Sequence, residues 1–116
     1  MQVQKDSSQR DSSQSQPSPD RIATRHPGGA YGPSLHSDKY REMRSAIFSV
    51  LGSNPEGIEL RNLLEAVKPF LSDRVYVPGS LTSWYCVNVE LDLEARGQIE
   101  RVQDGATERL RRVTDA

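Results

Sequence analysis

The stretch from Trp84 to Ala95 decides what this chain can fold into, because two incompatible templates fit it. Val87, Val89, Leu91 and Leu93 alternate with Asn88, Glu90 and Asp92, the pattern of a half-buried strand. The same stretch also fills two adjacent helical stripes, Trp84, Val87, Leu91 and Ala95 on one and Tyr85, Val89 and Leu93 on its neighbour. Length arbitrates. From Ser80 to Arg96 the run is long for a strand and ordinary for a helix, Ser80 offers an N-cap after the Pro78-Gly79 turn, and Gly97 offers a stop. A helix is expected, with core on two of its faces and Trp84 in that core.

Two shorter helical patterns precede it. The first opens at Ser37-Asp38, carries Tyr40, Met43, Ile47, Val50 and Leu51 at helical spacing, and closes at Gly52, a left-handed C-cap. After the turn signal Asn54-Pro55-Glu56-Gly57, the second begins near Glu59 or Leu60 with Leu60, Leu63, Leu64, Val67 and Leu71 on one face; Pro69 ends or kinks it. Burying such stripes is worth about 1.5–3 kcal/mol per large side chain. Neither is wide enough to fold alone, so the Ser80–Arg96 helix must cover both. Beyond Gly97, Ile99 to Val102 reads as a strand and Asp104-Gly105 as a hairpin turn. Thr107 to Val113 then returns as a second strand or as a short final helix.

Composition divides the chain. Residues 1–34 hold 6 apolar side chains among five glutamines, seven serines and four prolines, whereas residues 35–116 hold 34 apolar side chains in 82 positions. The first segment cannot fill a core and reads as a disordered low-complexity tail; the second reads as a single domain. The net charge of −1 excludes a protein held to nucleic acid by its overall field, so any such contact must rest on a local patch. No apolar run is long enough to span a bilayer, and the chain opens without the apolar segment of a secretory signal. The single cysteine, Cys86, allows no internal disulfide and suits a reducing interior. A cytoplasmic protein is expected.

Two strings carry a resemblance. Pro55-Glu56-Gly57-Ile58-Glu59-Leu60, followed by Leu63 and Leu64, resembles the entry into the second helix of winged helix-turn-helix domains. Leu93-Glu94-Ala95-Arg96-Gly97-Gln98-Ile99-Glu100-Arg101-Val102 is similar to the end of their recognition helix and its passage into the wing. The likeness covers about residues 37–113 and extends to a small bacterial family of unknown function. It implies a mainly α fold within the α+β class: three helices and a C-terminal β-hairpin wing, preceded by the tail.

The resemblance also implies a job, a small DNA-binding regulator that meets double-stranded DNA through the start of the third helix and the wing. The candidate contacts are Ser80, Thr82, Ser83 and Asn88 on the helix, and Arg101, Arg109 and Arg111 on the wing. The helix departs from DNA-reading members, with no Lys or Arg between Val75 and Ala95 and three acids, Glu90, Asp92 and Glu94. A second function explains that missing charge: a protein-interaction or dimerisation module without DNA binding, anchored by Tyr85, Tyr76 or Phe70. A metal-dependent enzyme using Glu90, Asp92 and Glu94 requires the strand reading, because on a helix Asp92 points nearly opposite the other two. No nucleophile–base pair, metal-ligand spacing or nucleotide-binding loop occurs, so a non-enzymatic protein without cofactors is expected.

Overall fold

The computed structural model describes residues 20–113, which form three α-helices and five strands in two antiparallel sheets. Strands β1 (Arg21–Arg25) and β2 (Tyr31–His36) make an N-terminal hairpin that leads directly into helix α1 (Ser37–Gly52). A short strand β3 (Ile58–Glu59) is followed by a 3₁₀ turn (Leu60–Asn62), helix α2 (Leu63–Val67) and a second 3₁₀ turn (Lys68–Phe70). Helix α3 (Thr82–Ala95) then leads into β4 (Ile99–Asp104) and β5 (Thr107–Arg112). The second sheet has the order β3-β5-β4.

This architecture overturns the expected three-helix winged helix-turn-helix after a disordered tail. The fold is mixed α+β, and residues 20–36, most of them assigned to the tail, open it as a hairpin. The glycines that look like breakers make its turn: Gly28 and Gly29 adopt φ of 89° and 95°, and His26 N–H donates to the Ala30 carbonyl at 2.8 Å. So few apolar residues suffice because each strand commits one fully buried side chain, Thr24 and Leu35, with Ile22 half-buried against the core and polar contacts beside them. Residues 1–19 of the expected tail lie outside the described residues.

The core lies between α1, α3, α2 and the second sheet. Tyr40, Met43, Ala46, Ile47, Val50 and Leu51 of α1 meet Tyr85, Cys86, Val89 and Leu93 of α3, with Leu63, Val67, Ile99 and Leu110 closing the ends. The second helical pattern is shorter than its stripe suggests, because Pro69 lacks an amide hydrogen and the chain tightens into a 3₁₀ turn there. Gly52 is the last residue of α1 and Ser53, at φ −85°, caps it in place of the expected left-handed glycine. Gly97 does take a positive φ, 75°, between α3 and β4. Gly57, at φ 92°, has no room for a side chain: a Cβ would meet the Leu110 carbonyl oxygen at 2.5 Å, where β3 joins β5. Thr107–Arg112 is a strand, paired with β4 from Ile99↔Arg112 to Asp104↔Thr107.

Candidate functional site

Helix α3 is the hub, because each of its flanks is used differently. Successive residues turn by about 100° around an α-helix, so its side chains fall into four sectors. Tyr85, Cys86, Val89 and Leu93 face the core. Asn88, Asp92 and Arg96 face the N-terminal hairpin, Glu90 and Glu94 face the C-terminal hairpin, and Trp84, Val87, Leu91 and Ala95 face outward.

The hairpin-facing sector is built around Asp92, which is wholly buried. Its carboxylate accepts from the Arg25 backbone N–H at 2.8 Å, from Arg96 Nε at 2.8 Å and from the Tyr40 hydroxyl. These donors belong to β1, to the residue that caps α3 and to α1, so one buried carboxylate ties three elements together. Burial, reinforced by the bond to Asp92, pushes the Tyr40 hydroxyl from its ordinary 10.0 up to about 12. The bond that Arg96 itself gives Asp92 pushes the guanidinium further up. Arg96 also donates to the Ala23 carbonyl at 3.2 Å, and His26 Nε2 lies 3.2 Å from Asn88 Oδ1. Sequence reasoning missed this network. Its signals were a carboxylate enclosed between Leu91 and Leu93 and an arginine four residues on.

The opposite sector neutralises the C-terminal hairpin. Arg101 reaches Glu94 at 2.8 Å, Glu90 at 3.2 Å and Glu108 at 3.5 Å. Arg109 pairs with Asp104 at 3.1 Å and donates to the Gly57 carbonyl, and Arg111 pairs with Glu100 at 2.5 Å. Arg101 stands opposite Leu110 on the inner face of the hairpin, whereas Arg109 and Arg111, one residue to either side of Leu110, point the other way. The three candidate arginines therefore do not converge.

The candidate helix contacts are equally dispersed. Ser80 and Thr82 share a hydrogen bond at 3.2 Å, and Ser83 is exposed. Asn88 is buried and donates to the Trp84 carbonyl at 2.9 Å. From Thr82 to Glu94, where Arg101 is held, the helix rises about 18 Å. Glu90 and Glu94 share Arg101 while Asp92 turns to the hairpin on the other side, so the three acids form no common site. Among the described residues no three His, Cys, Asp or Glu side chains could hold a metal ion. Cys86 is buried, and burial pushes its thiol up to about 11, away from the thiolate form that chemistry would need.

Two aromatic expectations are also corrected. Tyr85 and Tyr76 are buried, packed edge to face at 5.9 Å, and Trp84 lies outside the core at 42% exposure. Phe70 is exposed, as are Leu81 and Val87. No helix among the described residues is long and apolar enough to cross a membrane.

The sequence profile of DUF6958, a family of unknown function, matches residues 21–110. The chain belongs to that family. The match begins at the first residue of β1 and ends in β5, so the DUF6958 unit includes the N-terminal hairpin together with the helices and the second sheet. No curated protein and no solved structure matches the chain.

Proposed function

We propose that this DUF6958 protein is non-enzymatic and works by protein–protein contact, with the outward sector of α3 as its contact surface and a second copy of the chain as the occupant. One observation carries the reading: Leu81, just before α3, and Trp84 and Val87 within it are 62%, 42% and 54% exposed, in line with the half-buried Leu91. Large apolar residues grouped on one exposed face mark contact surfaces.

The flanks favour a second copy. One side of the stripe carries Arg25, His26 and Arg96, and the other carries Glu94 and Glu108 beside Arg101. A two-fold axis parallel to α3 sets the first flank of one copy against the second flank of the other, so apolar contact and charge complementarity coincide. Duplex DNA as the partner finds less support, because Arg101, Arg109 and Arg111 already have carboxylate partners and counterion release needs free cations.

Light scattering on the full chain tests the proposal. A dimer is expected, with Val87→Glu converting it to a monomer and moving the emission of Trp84 toward that of an exposed indole. A wild-type chain that stays monomeric at about 1 mM, where even a weak contact near −4 kcal/mol is half formed, overturns it.

A further inference from the structure

Two arginines without a carboxylate partner among the described residues meet on the outer face of α1, Arg44 from the helix itself and Arg112 from the C-terminal hairpin. Arg44, Ser45, Phe48 and Ser49 follow one another at helical spacing on that face, and Arg112 reaches it from the end of β5. Together they line a shallow cleft. Both guanidinium carbons lie against the single Phe48 ring, Arg44 at 4.7 Å and Arg112 at 5.2 Å from its centroid. Arg44 donates weakly to Gln98 Oε1 at 3.4 Å, and among the described residues neither arginine has a carboxylate partner. This sets them apart from Arg41, Arg61, Arg96, Arg101, Arg109 and Arg111, each of which has one.

Like charges brought to one ring repel unless an anion joins them, and the cation–π contact offsets only about 0.5–1 kcal/mol each at an exposed site. Each guanidinium presents five N–H donors in a planar fork suited to tetrahedral oxyanions. Ser45 and Ser49 add two hydroxyls on the same wall, with no partner of their own among the described residues. We propose that this cleft binds a phosphate monoester. Two cations match the charge of nearly −2 that a monoester carries at neutral pH, whereas a nucleic-acid diester carries one. The ring holds the guanidinium planes in place before the anion arrives, which lowers the ordering cost of binding.

The site shares no residue with the outward sector of α3, so either proposal can fail alone. Titration of the full-length chain with inorganic phosphate, with a phosphoserine peptide and with a short single-stranded oligonucleotide lacking terminal phosphates tests it. Phosphate and the peptide should perturb the amide resonances of Ser45, Phe48, Ser49 and Arg112 relative to chloride at matched ionic strength. Arg44→Gln and Arg112→Gln should each weaken binding about tenfold, while Arg61→Gln, which removes the same charge elsewhere, should leave it unchanged. Tighter binding of the peptide points to a protein-borne phosphate and equal binding to the free ion; either supports the site. It is overturned if the oligonucleotide binds more tightly than phosphate, if chloride produces the same perturbation, or if Arg61→Gln weakens binding as much as Arg44→Gln.

Discussion

The two β-hairpins hold to the rest of the fold by apolar and polar contacts in different proportion. The C-terminal hairpin is seated by the buried apolar side chains Ile99 and Leu110 and by Arg101, which reaches Glu90 and Glu94 of α3 from its inner face, while the pairs of Arg109 and Arg111 lie on its outer side. The N-terminal hairpin brings Leu35 and the half-buried Ile22 to the core and adds polar contacts: Arg25 N–H on Asp92, His26 on Asn88, and Arg96 on the Ala23 carbonyl. An apolar seat degrades gradually when trimmed. A buried charge behaves differently, since removing its partner leaves a desolvated group with nothing to bind.

The largest effect should therefore come from Asp92→Ala. It strips the acceptor from the Tyr40 hydroxyl, the Arg25 amide and the Arg96 guanidinium at once. A loss of about 3–5 kcal/mol is expected in chemical denaturation, the range for breaking a buried ion pair from one side. Hydrogen exchange should show the amides of β1 and β2 losing protection before those of β4 and β5. Equal loss in both hairpins would mean that Asp92 supports the whole core and that the contrast is false.

The same contrast explains what the sequence disclosed. Helices α1 and α3 and the Asp104-Gly105 turn were readable because apolar spacing or turn chemistry marks them directly. The N-terminal hairpin was not, because its strands carry one fully buried side chain each and its attachment is made by Asp92 and Asn88, 60 or more residues away. Polar docking leaves no periodic trace. Trp84 and Tyr85 were exchanged for a different reason. They are neighbours on the helix, both adjoin apolar stripes, and what selects Tyr85 for the core is the Tyr76 ring, supplied by the long connection before α3. For the candidate site, the hairpin arginines were visible, as were Glu100, Asp104 and Glu108 beside them. The capture of Arg101 by Glu90 and Glu94 depends on how the hairpin folds back along α3.

A smaller effect should appear at alkaline pH, the Asp92 seat contributing through Tyr40. The Tyr40 hydroxyl titrates at 10.0 in an unfolded chain and at about 12 in the fold. Above pH 10 the unfolded chain releases this proton while the folded one keeps it, so stability present below that pH is lost as pH climbs toward 12. The denaturation midpoint should fall over this window. In Tyr40→Phe the starting midpoint should be lower, for want of the bond to Asp92, and the fall shallower. Tyr76 and Cys86, both pushed up by burial, leave a residual slope. A Tyr40→Phe variant that falls as steeply as the parent would remove Tyr40 from the linkage.

The smallest effect sharpens the comparison from the other side. Arg111 and Glu100 face each other across the C-terminal hairpin at 2.5 Å, a shorter contact than any that Asp92 makes with Arg96 or Arg25. Distance alone would rank it as the stronger interaction. Both side chains are close to half exposed, however, and water at an open surface screens the attraction while two long side chains lose rotamer freedom. Arg111→Ala should change stability by no more than about 0.5 kcal/mol, and the difference should shrink further in high salt. A salt-sensitive loss several times larger would mean that the outer arginines help to seat this hairpin beside Ile99, Leu110 and Arg101.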